Sequence, residues 1–269
     1  MTPAARLRTT ILGCVLLALG SALAPAVADD QIATRFEMFG FAGIQVLTLH
    51  TRTEESGKRY AVSVDYKTEG MASLFVDLTT DAQVQGRIIA GSARPERFRD
   101  DTRRNGAQRH SRVDYRPDGT VIGSSTAPLP KPVTPQAAQG TIDNLTAYYR
   151  LERQLARTGS CGLSERVYDG RHGYDLIFTD AGQQALTPLG GQNFAGEAIA
   201  CRMTRRDWVG FPNPEKGDET RRGTIWYARL IPGDDVLVPV RMRMDTPLGI
   251  VDGFLAELHS RAVNLRLMP

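Results

Sequence analysis

The sequence lacks the short motifs that mark the common enzyme chemistries. It has no Gly-x-Ser-x-Gly elbow to expose a nucleophilic serine and no His-Glu-x-x-His to hold zinc on a helical face. A phosphate-cradling glycine loop and a dinucleotide fingerprint are missing as well. Histidine is scarce: His50, His110, His172 and His259 stand singly, without the spacing that converges ligands on a metal. Cysteine is limited to Cys14, Cys161 and Cys201, with no Cys-x-x-Cys pair for redox work. No later segment approaches the run of about 20 apolar residues that a spanning helix needs, and no repeat of solenoid or propeller period is visible. The expectation is a chain without assignable catalytic residues, metal or cofactor, which does not span the membrane.

The first 28 residues have three parts: Arg6 and Arg8, an apolar run from Ile11 to Leu23, and small residues ending Ala26-Val27-Ala28. That order is the anatomy of a secretory signal, with cleavage expected between Ala28 and Asp29 and a periplasmic address for the rest. Cys14 sits at the start of the apolar run, not after it where a lipidated cysteine belongs. Loss of Arg6 and Arg8 takes the formal net charge from +3 to +1, which gives no case for a nucleic-acid binder. Residues 29–269 are long enough for one large β-rich domain, the expected organisation. Cys161 and Cys201 would be the cysteines left, and an even pair in an oxidising compartment predicts a disulfide. Closing a loop of that length stabilises by up to roughly 4 kcal/mol on the chain-entropy model.

One stretch reads as a helix in a chain otherwise made of strands and turns. Between Gly140 and Cys161, apolar residues at Ile142, Leu145, Tyr148, Tyr149 and Leu155 follow the spacing that lines one helical face. Thr141 or Asp143 can cap its start and Gly159 can stop it. Arg150, Arg153 and Arg157 are expected on the outer face and at the C-terminal end. Such a helix needs a curved sheet to cover.

Strands are expected at Ile44 to Leu49, Tyr60 to Tyr66, Leu74 to Leu78 and Gln83 to Ile89, with apolar and polar residues alternating over Tyr60 to Lys67. Arg94 to Arg116 carries eight arginines against four acids and reads as a hairpin turning at Asn105-Gly106, followed by a second turn at Arg116-Pro117-Asp118-Gly119. Arg97, Arg99, Arg103, Arg104, Arg109 and Arg112 form a candidate strip for an anionic partner, because guanidinium forks pair with phosphate oxygens. A proline-rich connector covers 127–135. Further strands are expected at Glu165 to Tyr168, Tyr174 to Phe178, around Cys201, and at Ile225 to Leu230 and Val236 to Met244, with Gly210 to Arg222 a polar loop. Asp169, His172 and Asp175 lie close in sequence, but Asp169-Gly170 has the chemistry of a turn. The class expected is an antiparallel curled sheet or open β-barrel with one amphipathic helix on its concave side. Leu145, Tyr148, Tyr149 and Trp226 are the candidate cavity-facing residues.

Several segments, in order, carry a family likeness: Lys67-Thr68-Glu69-Gly70, Val113-Asp114-Tyr115, Ile142-Asp143-Asn144-Leu145-Thr146-Ala147, Val167-Tyr168-Asp169-Gly170-Arg171, Ile225-Trp226-Tyr227, Val238-Pro239-Val240-Arg241 and Thr246-Pro247-Leu248-Gly249. Together they resemble a family of exported bacterial proteins, domain of unknown function 3108 (DUF3108). The region from 190 to 220 departs from that pattern, being longer and richer in Gly and Arg. The resemblance implies a periplasmic β-rich protein without assigned activity.

Three readings of function follow. The first is a non-catalytic protein of envelope maintenance that binds a lipid or amphipathic small molecule in the concavity or docks another envelope protein, and a separate one is a purely structural interaction module that uses the Arg94 to Arg116 strip. The alternative is a hydrolase of envelope polymers whose acids converge from separate strands.

Overall fold

The computed structural model describes residues 30–40, 43–126, 132–188, 194–209, 221–246 and 249–268. The signal segment with Ala28 and Asp29, residues 127–131 of the connector, loop residues 210–220, and Pro247 with Leu248 lie outside the described residues.

The first half of the chain is a meander of β1 (Asp30–Phe39), β2 (Gln45–Ser56), β3 (Arg59–Thr68), β4 (Leu78–Ile89), β5 (Ser92–Arg104), β6 (Ala107–Tyr115) and β7 (Val121–Ser125). The second half repeats the pattern with β8 (Leu163–Tyr168), β9 (Gly173–Leu186), β10 (Gly196–Val209), β11 (Arg221–Ala228), β12 (Val238–Thr246), β13 (Gly249–Ser260) and β14 (Asn264–Arg266). Helices α1 (Ala72–Phe75), α2 (Pro135–Ala138) and α3 (Asn144–Thr158) complete the described elements. Every strand pairs antiparallel with its sequence neighbour except where the halves meet: β7 is not paired with β8, and β1 pairs with β13 along Ile32 to Phe39. The result is one curled antiparallel sheet in the order β7 to β1, then β13 to β8, with β14 added beside β13.

The turns follow from local chemistry. Asn105 and Gly106 both have positive φ, at 49° and 80°, as a two-residue hairpin between right-twisted strands requires. The expected strand at Leu74 to Leu78 is not formed. Ala72–Phe75 is a single helical turn in the long β3–β4 connection, with Leu74 and Phe75 about 80% exposed, and β4 begins only at Leu78. Arg221 and Arg222, read as loop, open β11 instead, and Pro135, read as connector, opens α2 with Thr134 as its cap.

The seam between β7 and β8 is filled by side chains and by the chain leading into α3. Ile142 makes a parallel bridge to Val167, its N–H donating to the Arg166 carbonyl at 3.0 Å while Tyr168 N–H donates back to Ile142 at 2.9 Å. Across the gap, Tyr168 lies flat against Gly123 of β7, where any Cβ would stand 2.2 Å from its hydroxyl oxygen. A glycine there lets the two sheet edges approach. Among the described residues no helix is long and apolar enough to cross a membrane.

Candidate functional site

Helix α3 lies on the concave face of the sheet, and its local sequence explains why it starts and stops where it does. Asp143 is the N-cap: its carboxylate accepts from Thr146 N–H at 2.8 Å and from the Thr146 hydroxyl at 2.7 Å. Thr141, the other candidate, donates to the Ala138 carbonyl instead. Gly159, at φ 68°, ends the helix in the left-handed conformation. Leu145, Ala147, Tyr149, Leu151 and Leu155 are buried, and each large side chain among them contributes roughly 1.5–3 kcal/mol. Tyr149 stacks on Tyr60 with centroids 4.6 Å apart, and the Tyr60 hydroxyl meets the Thr146 hydroxyl at 2.8 Å. Beyond Gly159, the disulfide between Cys161 and Cys201 ties the helix exit to β10, with Cα atoms 5.6 Å apart.

Two of the α3 arginines do not face solvent as expected: the sheet wraps both flanks of the helix, so the guanidinium groups of Arg150 and Arg153 meet strands. Arg157 is exposed in the last turn, as expected. Arg150 donates to the Ala93 carbonyl of β5 and to both oxygens of Glu165 on β8. Arg153 holds Glu55 at the end of β2, and Arg157 donates to the Gly91 carbonyl.

Between α3 and the concave faces of β1, β2, β3, β11 and β12 lies a cavity of about 450 Å³. Its walls are mainly apolar, with Phe36, Leu49, Val62, Ile225, Met242 and Met244 among them. The methionines give those walls adaptable, polarisable surface. Leu145, Tyr148 and Tyr149 of α3 line it. Trp226 does not. Strand alternation points its neighbours Ile225 and Tyr227 inward and leaves Trp226 on the other face, where Nε1 donates to Gln184 Oε1 at 2.8 Å and Arg241 stacks over the ring.

Polar side chains interrupt the apolar lining, Thr34, Thr51, Thr53 and Asn144 among them, and three others stand out. Glu152 projects from α3 into the cavity with no hydrogen-bond partner among the described residues, and burial alone pushes its carboxyl up to about 8. Tyr148 and Tyr227 present hydroxyls that likewise lack protein partners among the described residues. Desolvation raises both phenols, Tyr148 to about 12, and the Glu152 carboxyl adds to the rise at Tyr227. At the rim, Glu55 accepts from Tyr149 at 2.5 Å and from Arg153 at 2.8 and 2.9 Å. Sequence periodicity missed Glu152 as a site residue, although it stands three and four residues from Tyr149 and Tyr148, on the apolar stripe itself.

Elsewhere most of the charged groups are paired within the chain. A groove of about 470 Å³ on the opposite face of β13, β1, β2 and β3 pairs His50 with Asp65 at 3.0 Å and Arg35 with Glu257 at 3.1 Å. The arginine strip is divided between the two faces and engaged with acids of its own sheet. Arg97 and Arg112 share Asp114, Arg99 meets Asp81, Arg103 meets Asp77, and Arg109 binds Asp100 beside Thr102. Arg104 is exposed and has no carboxylate partner among the described residues. Asp169 caps its own turn, accepting from the N–H groups of Arg171 and His172 at 2.9 and 2.6 Å. Burial raises its carboxyl, and the bonds from His172 and from those amides outweigh that, leaving it below the usual range. Asp100 moves the other way, raised by burial against the pull of Thr102 and Arg109. Asp175 alternates with the inward-facing Tyr174 and Leu176 and so lies on the other face of β9. No cluster of three metal-ligating side chains occurs among the described residues.

The fold is similar to that of the β-barrel-like protein of domain of unknown function DUF1849 from Brucella abortus, known from a crystal structure. The TM-score is 0.51 at 13% identity, covering 88% of this chain and 100% of that one. At that identity the likeness is one of fold alone. No curated protein matches the sequence. The family pattern of proteins of unknown function DUF3108 matches residues 35–256, and the chain belongs to that family.

Proposed function

We propose that this protein is an exported, non-catalytic binding protein of the cell envelope, which shelters an amphipathic and largely apolar small molecule between α3 and the concave face of the sheet. The observation that carries the reading is the cavity of about 450 Å³ whose apolar walls are interrupted by unpartnered polar groups on Glu152, Tyr148 and Tyr227. A concave pocket of this size, mainly apolar with a few polar groups that lack protein partners, has the make-up of a small-molecule site. Export is supported by the disulfide between Cys161 and Cys201 and by the three-part segment that begins the sequence.

The test is titration with N-phenyl-1-naphthylamine, a neutral dye that brightens in apolar surroundings. Saturable one-to-one binding is expected, together with its loss in Ala156→Phe, which fills the cavity from the helix side. Equal binding by the Ala156→Phe variant, or none by the wild type, contradicts the reading.

A further inference from the structure

We propose that the ligand carries a basic nitrogen: an amine on an apolar body, whose ammonium group pairs with the Glu152 carboxylate inside the cavity. This rests on the reading of the cavity as a ligand site and names the chemistry that the site selects.

The charge pattern of the lining supports it. Glu55 is matched by Arg153, and Asp235 at the β11–β12 turn is matched by Arg229 at 2.7 Å. Arg157 is turned to the Gly91 carbonyl. Asp234 has its Oδ1 occupied by the Val236 N–H at 3.0 Å. Glu152 is left as the interior charge without a cation, faced by Tyr148 from its own helix and Tyr227 from β11. A fatty acid would bring a second carboxyl into the same apolar surroundings beside Glu152, while the two arginines of the lining are turned elsewhere, Arg153 to Glu55 and Arg157 to the Gly91 carbonyl, so its desolvation would be offset only by drawing one of them away. An ammonium supplies the missing partner, and the two tyrosine rings offer π faces that favour a cation.

The proton balance is simple. Below the pKa of the amine, the ligand enters as an ammonium ion while Glu152 is held neutral. Pairing ionises the carboxyl, and one proton passes from Glu152 to water for each ligand bound.

Calorimetric titration with dodecylamine, dodecanol and dodecanoate, each below its micellar concentration, tests this at pH 7 in two buffers of different ionisation enthalpy. Dodecylamine is expected to bind at least about tenfold more tightly than the other two, as one charge-assisted contact provides. It should also release close to one proton. In Glu152→Gln the proton release disappears and the amine and the alcohol bind within about threefold of one another. Dodecanol or dodecanoate binding as tightly as the amine to the wild type overturns the proposal and leaves the cavity reading standing, and so does an amine preference that survives Glu152→Gln. Failure of all three probes to bind overturns both.

Discussion

Arg153 Nη1 reaches both oxygens of Glu55, at 2.8 and 2.9 Å, and the Tyr149 hydroxyl adds a third bond to the same carboxylate. Two positions one helical turn apart on α3 are thereby fixed to the end of β2, at the rim of the cavity. The helix is held at its start by the buried Asp143 cap and at its exit by the disulfide. Between these anchors it has one wall of protein and one of empty volume.

Replacing Glu55 by Ala removes the partner of two α3 side chains at once. Because both ends of the ion pair are about a third exposed, solvent screening limits the loss to about 1–2 kcal/mol. For a domain of this length that is a fall in Tm of about 2–8 °C. An unchanged Tm would mean that the rim network does not anchor the helix.

The disulfide should matter more. Replacing Cys161 and Cys201 together by Ala frees the loop that contains β8, β9 and the start of β10, and is expected to cost up to roughly 4 kcal/mol. Thermal unfolding of the wild type with and without reductant reads the same loss. Matching curves would show that the bridge adds nothing.

Two buried carboxyls set a pH dependence whose sign is opposite to that of salt-bridged acids. Burial raises Asp143 to about 6 and Glu152 to about 8 from ordinary values near 4, so the folded state binds protons that the unfolded state has released. Their contribution is fully favourable below the unfolded values and is lost as pH rises through 6 for Asp143 and through 8 for Glu152. Stability in Glu152→Gln is therefore expected to exceed that of the wild type at pH 9 and to approach it at pH 5. Parallel curves across that range would contradict the burial of Glu152.

At the seam, Gly123→Ala places a methyl group against Tyr168. Overpacking of this kind costs about 1–3 kcal/mol, and hydrogen exchange should quicken along β7 and β8 before it does in β1 or β13. Uniform exchange would mean that the edges are not held by this contact.

Local chemistry was legible in the sequence. The α3 limits, the Asn105-Gly106 hairpin and the pairing of Cys161 with Cys201 each rest on a few neighbouring residues or on a small choice of partners. What escaped depends on how the two halves of the sheet join and curl. Pairing of β1 with β13 joins residues more than 200 positions apart, which no periodicity encodes. The curl of the joined sheet wraps α3, and that turned Arg150 and Arg153 from expected surface charges into links to β5, β8 and β2. Trp226 looked like cavity lining because it is large and apolar, yet the alternation of Ile225, Trp226 and Tyr227 decides which of them points inward. Glu152 was readable in principle, as a carboxylate standing where the helical stripe calls for a leucine. Its meaning came only from the absence of a cation on the facing strands.

The most direct measurement of the central claim is native mass spectrometry, with organic extraction, of the protein purified from its producing cells without detergent. The account predicts a stoichiometric adduct that extracts into organic solvent, and its absence from the Ala156→Phe variant. A bare mass for the wild type, together with no uptake of any amphipathic probe, would contradict it.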